Sequence, residues 1–173
     1  MDIGLGCSKF KIAVYLANTP NMPEYNQLNG VQTLNNDDIT TIGLMCGNGW
    51  RKVFNVYSKL LYALDPACFT YHQFAPTWQR YRDQFLLQQD SRTALLFSPP
   101  ILNKSSDCIH IISGKTYAKE LINRGKISTS LIWLDEDFAI DVINRVIVCP
   151  YFDYRQLSNI KIERLALLIK ELN

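Results

Sequence analysis

The side chains best suited to chemistry follow the apolar segments of this chain. Tyr151, Asp153 and Arg155 come directly after the apolar run at residues 145–150. Aromatic rings can stack on a planar base, and a guanidinium can pair with a phosphate or a carbonyl group. The rings could equally pack a helix onto a sheet while Asp153 and Arg155 face solvent. The sequence is compatible with both interpretations.

Polar residues follow two further apolar segments, at residues 11–17 and 93–97. An Asn-Thr pair comes after the first, and a serine and an asparagine come after the second. If these segments are parallel strands, their carboxyl ends meet at one edge of a sheet, where ligands bind in open α/β proteins. The sequence therefore predicts a ligand-binding cleft, with Arg155 beside it, that is lined by Asn18, Thr19, Ser98, Asn103, Tyr151 and Asp153.

Several site patterns in the sequence are incomplete. The tripeptide Gly114-Lys-Thr follows an apolar run, but a phosphate-binding loop needs another glycine five residues earlier, where Ile109 stands. We interpret the tripeptide as the start of a helix. Cys68 and His72 supply only two ligands, fewer than a zinc site requires. The acidic triplet 135–137 is interpreted as an exposed turn, so we predict no metal site and no cofactor.

Composition and charge narrow the class of protein. The chain has 173 residues, 47% of them apolar, which predicts a single domain over residues 1–173. Its net charge is +2 and its 18 basic residues are scattered, without the basic stripe typical of proteins that bind nucleic-acid backbones. No apolar stretch is long enough to span a membrane, and the charged Asp2 argues against a signal peptide. Five cysteines without a Cys-x-x-Cys pair indicate reduced thiols and a cytoplasmic protein.

Apolar runs rich in β-branched residues alternate with segments of helical period along the chain. The strands are predicted at residues 11–17, 93–97, 108–113 and 145–149. The helices are predicted near residues 50–64, 78–89, 115–124 and 159–172. This alternation is typical of an α/β three-layer sandwich in which helices flank a four-stranded, mostly parallel sheet. Residues 131–134 are interpreted as a short edge strand or a loop, and residues 26–40 as a surface connection.

Four pieces of the chain resemble, in order, elements of the uracil-DNA glycosylase superfamily. Leu16-Ala-Asn-Thr-Pro20 resembles the proline-containing, water-activating loop after the family's first strand. The pieces that begin at Ala94 and Ile111 resemble its second strand with the following loop, and its third strand with a glycine and a short helix. Residues 146–159 resemble the fourth strand and its His-Pro-Ser-type loop. The resemblance spans residues 10–172 and implies a uracil-DNA glycosylase-like fold.

The positions that carry catalysis in that superfamily are altered in this chain. Cys149 stands where the family has a histidine that donates to the carbonyl oxygen of the departing base, and a thiol is a poor donor. Thr19 stands where a water-orienting Asp or Asn is expected, with Asn18 adjacent. Phe97-Ser98 ends the second strand, where many members place a base-reading asparagine. The resemblance therefore implies the fold and a base pocket, with little or no glycosylase activity.

Two classes of function stay open at the level of sequence. The first is a catalytically degenerate glycosylase-like module that binds a nucleobase, a nucleotide or nucleic acid. The second is a non-enzymatic structural or protein-interaction domain that uses an exposed aromatic patch, with homo-oligomer formation as one such use. The three Trp, nine Tyr and eight Phe residues are compatible with both. A clustered basic rim around the strand ends would favour the first class, and a flat apolar patch away from them would favour the second.

Overall fold

The computed structural model describes all residues from Met1 to Asn173. One sheet contains eight strands: β1 Gly4–Gly6, β2 Ile12–Tyr15, β3 Val31–Gln32, β4 Thr93–Leu96, β5 Ile109–Ser113, β6 Ile132–Trp133, β7 Ala139–Asp141 and β8 Val146–Cys149. Five α-helices pack on it: α1 Asp38–Cys46, α2 Asn48–Ala63, α3 Trp78–Gln84, α4 Lys115–Asn123 and α5 Asn159–Leu172. None of these helices combines the length and the apolar character needed to cross a membrane.

The centre of the sheet consists of the four predicted strands. They lie in the order β4-β2-β5-β8 and every neighbouring pair is parallel. Val14 in β2 is in register with Leu95 on one side and with Ile111 on the other. All four strands are buried along their whole length, which explains why they appear in the sequence as continuous apolar runs without alternation.

The prediction of a four-stranded sheet is wrong, because four short strands extend it at both ends. β1 is antiparallel to β4 and carries β3 at one edge, while β7 and β6 add antiparallel strands beyond β8. Each added strand is only two or three residues long, too short for a periodic signal. Residues 131–134 were interpreted as an edge strand or a loop, and they contain the edge strand β6.

Helices cover both faces of the sheet, unequally. Ile111 and Ile147 belong to the main core, which α1, α2, α3 and α5 cover. Their neighbours Ile112 and Val148 point to the other face and pack with Ala118 of α4. Because successive strand residues point to opposite faces, the apolar runs supply both cores at once. The layered arrangement of helices on both faces is therefore present, with α4 alone on its side.

Two helices differ from their predicted extents. α1 begins at Asp38, inside the segment interpreted as a connection, because the Asn- and Asp-rich stretch before it resembles a loop. α3 ends at Gln84 rather than near residue 89. Leu87, Asp90 and Arg92 have positive φ angles, which an α-helix does not allow, and they turn the chain into β4.

Candidate functional site

The strand order changes direction between β2 and β5. From β2 the chain goes on to β3 and β4, both on one side of it, and from β5 it goes on to β6, β7 and β8 on the other side. The loops that leave these two adjacent strands therefore diverge. In doubly wound sheets this divergence opens a crevice beyond the carboxyl ends of the strands, where ligands bind.

A cleft of about 410 Å³ occupies this position. We call it the switch-point cleft. Thirteen residues line it: Ala17, Asn18, Ser113, Gly114, Lys115, Thr116, Tyr117, Glu120, Glu136, Asp137, Pro150, Tyr151 and Gln156. They come from the loops after β2, β5 and β8, from the first turns of α4, and from the turn between β6 and β7. Its volume lies within the range of pockets that hold small ligands.

Two hydrogen bonds, one between backbone groups and one to a side chain, join two walls of the cleft. The amide of Gly114 donates to the carbonyl oxygen of Cys149 at 2.8 Å, and the amide of Phe152 donates to Ser113 Oγ at 3.0 Å. Gly114 has a φ of +102°, a conformation that strongly favours glycine. The loops after β5 and β8 are therefore joined to each other directly beyond the ends of the two strands.

The amino end of α4 opens into the cleft. The helix begins at Lys115 and no side chain caps it. Ala118 is the first residue whose amide bonds back along this turn, to the carbonyl oxygen of Gly114 at 3.2 Å. The preceding amides have no partner within the helix, so they present hydrogen-bond donors and a partial positive charge to the cleft. Lys115 is thus a first-turn helix residue, as the sequence predicted.

Two tyrosine rings contribute flat apolar surface. Tyr117 lies on α4 and Tyr151 follows β8, and both are half-buried. Burial raises the pKa of the Tyr117 phenol, and burial, together with the Asp153 carboxylate, raises that of Tyr151. Both phenols are therefore protonated and neutral at physiological pH. They can stack on a planar ligand and also donate a hydrogen bond to it.

Charges of both signs surround the cleft. Lys115 Nζ donates to the carbonyl oxygen of Glu136 at 3.2 Å, and Asp137 forms an ion pair with Lys161 at 2.9 Å. Glu120 and the carboxylate of Glu136 take part in no salt bridge. Three carboxylates at the rim would repel a polyanion, so the cleft suits a neutral ligand or one that carries a single small anionic group.

The structure brings together two of the seven residues predicted from the sequence. Asn18 and Tyr151 both line the switch-point cleft. Thr19, next to Asn18, is exposed and outside the lining. The expectation of one cleft for all the predicted residues is therefore not met.

Asp153 and Arg155 lie outside the cleft lining, with Asp153 directed toward α2. The Asp153 carboxylate lies 3.4 Å from Lys52 Nζ and 3.5 Å from Arg155 Nε. Burial opposes its ionisation, but the Arg155 amide and the Lys52 ammonium outweigh burial and hold the pKa of Asp153 below its usual value. This carboxylate fastens the loop after β8 to α2.

Ser98 and Asn103, after β4, also have local partners. Ser98 Oγ accepts a hydrogen bond from the Ile3 amide at 2.9 Å. Asn103 Oδ1 accepts from the amide of Ser105 at 3.0 Å and from its hydroxyl at 2.7 Å. Both side chains stabilise the path of their loop and contribute nothing to the lining of the cleft.

Cys149 stands where the resemblance to the uracil-DNA glycosylase superfamily implies a histidine. It is fully buried on the face of the sheet that α2 and α5 cover. Burial raises the pKa of its thiol far above the ordinary value, so the thiol stays protonated. Its Sγ lies 3.9 Å from the carbonyl oxygen of Ile112. Pro150, the next residue, lines the cleft and offers no donor.

Several residues that line the switch-point cleft were not predicted from the sequence. Tyr117 and Glu120 lie one helical turn apart at the start of α4, so a helix that begins at Lys115 places both on one face. That spacing could have predicted both residues from the sequence. No sequence pattern indicates Glu136, because the turn between β6 and β7 reaches the cleft only through the antiparallel pairing of β7 with β8.

The chain was also compared with known families and structures. A profile of a family of unknown function, DUF6942, matches residues 3–170. The chain belongs to this family. No curated protein and no solved structure matches it at a significant level.

Proposed function

We propose that this member of the DUF6942 family binds a nucleobase or a mononucleotide in the switch-point cleft and does not cleave its glycosidic bond efficiently. The observation that carries the proposal is the combination of groups in that cleft. Two neutral tyrosine rings, the amide of Asn18 and the uncapped start of α4 converge there. Proteins that bind a single base stack it on aromatic side chains and read its edge with hydrogen bonds.

Each part of such a ligand has a matching group. Tyr117 and Tyr151 offer surfaces for the base, and the side-chain amides of Asn18 and Gln156 carry both donors and acceptors for its polar edge. A single phosphate would fit the free amides at the start of α4, with Lys115 beside it. The acidic rim disfavours the many phosphates of a nucleic-acid strand, so a small ligand is proposed rather than nucleic acid.

The resemblance to the uracil-DNA glycosylase superfamily supports the same ligand class. The loops that resemble its first, third and fourth strand ends contain Asn18, Gly114 and Tyr151, and all three line the cleft. The loop after β4 contributes no lining residue. The proposal therefore keeps the base pocket that the resemblance implies and leaves out efficient cleavage of the glycosidic bond.

The test is a titration of the labelled protein with free nucleobases and with their 5′-monophosphates, followed by amide NMR shifts. We expect saturable shifts at Asn18, Gly114 and Tyr151. Asn18→Ala and Tyr151→Ala should each weaken binding about tenfold, the effect of losing about 1.4 kcal/mol. Lys115→Gln should weaken binding of the monophosphates only.

Asn103→Ala is the matched control, because it removes an amide from a neighbouring loop outside the cleft. It should leave the affinity unchanged. Shifts confined to other surfaces, or no shifts with any compound of either series, would contradict the proposal. Equal weakening by Asn103→Ala and Asn18→Ala would place the ligand elsewhere.

A further inference from the structure

β6, at one edge of the sheet, is unusually apolar for an edge strand. Ile132 is 64% exposed, Trp133 39% and Leu134 41%. The stretch 128–134, Ser-Thr-Ser-Leu-Ile-Trp-Leu, contains no charged residue, glycine or proline. Edge strands of soluble monomers normally carry such residues, because an apolar edge is a template for pairing with another strand.

The backbone of β6 has one free side. The Leu134 amide donates to the carbonyl oxygen of Phe138 in the turn, at 2.9 Å, and the Ser130 amide donates to the Asp141 carboxylate at 3.1 Å. The backbone N–H and C=O groups of the even-numbered residues therefore point toward β7. Since alternate residues of an antiparallel ladder face opposite sides, the N–H and C=O groups of Leu131 and Trp133 point away from the sheet.

We propose that β6 pairs with β6 of a second copy of this chain. The pairing is antiparallel and centred on Ile132, so that two sheets become one across a two-fold axis. In this register Leu131 of each copy lies opposite Trp133 of the other, and each such pair exchanges both of its N–H···O bonds. The free groups of β6 are thus satisfied by an identical set, as a two-fold interface requires.

The charges that flank β6 favour this antiparallel, self-complementary arrangement. Arg124 and Lys126 precede the strand and have no ion-pair partner in the chain. Glu136 follows it and has none either, whereas the neighbouring Asp135 is paired with Arg164. Antiparallel pairing brings the basic end of one copy to the acidic end of the other. Parallel pairing would place like charges side by side.

Apolar contacts would form on both faces of the joined sheet. Trp133 is in register with Ala139, which packs in the cluster covered by α4, so Trp133 lies on the α4 face. Ile132 consequently points to the opposite face, where it would meet Ile132 of the second copy. β3, the other edge, offers no comparable surface, because its Val31 packs against the sheet and the exposed Gln32 is polar.

Sedimentation equilibrium of the full chain tests the association. We expect the wild-type protein to approach twice its mass of 19.9 kDa at micromolar concentrations. Ile132→Lys should raise the dimer dissociation constant at least about tenfold, because like charges directly opposite each other repel. Leu44→Lys is the matched control: Leu44 is 66% exposed on α1, a helix that contacts α2 and α3 and not this edge. Circular dichroism would verify that both variants are folded.

A disulfide trap tests the register. Ile132 of one copy and Ile132 of the other would form a non-hydrogen-bonded pair. Their Cα atoms would lie about 4.5 Å apart, within the range of a disulfide. Ile132→Cys, in a Cys68→Ser background that removes the exposed thiol, should give a covalent dimer on oxidation. Gln32→Cys, on the opposite edge, should not. The proposal is overturned by a monomeric wild-type protein, by equal effects of the two lysine variants, or by a cross-link that forms at residue 32 and not at residue 132.

Discussion

Asn18 and Thr19 are neighbours in the chain, yet only Asn18 lines the switch-point cleft. Similar local geometry decides other positions. Cys149 and Pro150 are consecutive, and the thiol is directed into the core while the proline ring reaches the cleft. A residue type that matches a catalytic pattern is therefore insufficient, because consecutive residues at the end of a strand can point in different directions.

We expect little or no excision of uracil from single- or double-stranded DNA. Breaking the glycosidic bond needs a donor at the base carbonyl and a polar group that holds the water. Cys149 and Thr19, at the matched positions, lie outside the cleft lining. The loss of one such donor costs ~10²–10³ in rate, so losing both should leave activity near background. Robust excision that survives Cys149→Ala and Thr19→Ala would show that other residues perform the reaction.

His110 should make the stability of the protein depend on pH. Its Nδ1 lies 2.7 Å from the Tyr15 hydroxyl, and burial lowers its pKa from 6.5 to about 4. Between these values the unfolded chain binds a proton that the folded chain does not. The free energy of unfolding should therefore fall as the pH drops from 6.5 towards 4, by up to about 3 kcal/mol.

Urea denaturation across this pH range measures the effect. His110→Gln keeps a group that can accept from Tyr15 but does not titrate, so its stability should change less steeply with pH. A wild-type curve with the same slope as that of His110→Gln would assign the pH dependence to other groups. His72→Gln, at the chain's other histidine, is the matched control variant.

At the level of elements, the four central strands were predictable and the edge strands were not. Central strands are buried on both faces, so their apolar runs are long and rich in β-branched residues. β1 is Gly-Leu-Gly, a composition that disfavours strands. It forms a strand because glycine lets its backbone approach β4 closely: a Cβ on Gly4 would overlap the carbonyl oxygen of Leu95.

Gly4→Ala should therefore destabilise the protein by about 1–3 kcal/mol, the usual effect of forcing extra atoms into a packed site. Gly49→Ala is the matched control, because a Cβ at Gly49 in α2 meets no atom within 4 Å. It should leave the protein as stable or slightly more stable, since alanine favours helices. Chemical denaturation measures both changes, and equal stability of the two variants would contradict the close approach of β1.

For the whole molecule, the main feature is that the central sheet joins distant parts of the chain. β2 pairs with β4 and β5, which follow it by roughly half the chain's length. The main core likewise contains residues of β1 and of α5, near the two ends of the sequence. A fragment that lacks either end of the chain therefore loses part of this core.

We expect the fragment 1–104 not to fold alone, because it lacks β5, β8 and α5 and leaves β2 as an exposed edge. It should show no cooperative thermal transition by circular dichroism. Mixing it with the fragment 105–173 should restore the transition, since the cut lies in an exposed turn of the loop after β4. A cooperative transition of the isolated fragment would mean that the chain contains a smaller folding unit.

Local periodicity and burial on both faces leave a direct pattern in the sequence. The α/β class, the four parallel strands and three of the five helices could therefore be predicted, the helices to within about two residues. The sequence also placed Asn18 and Tyr151 at strand ends. The three-dimensional pairing of the strands made β2 and β5 the strands between which the order reverses. It alone recruited Glu136 and Gln156 to the cleft and left the edge of β6 open. Those outcomes depend on which strands pair, and pairing is a property of distant segments that no local pattern records.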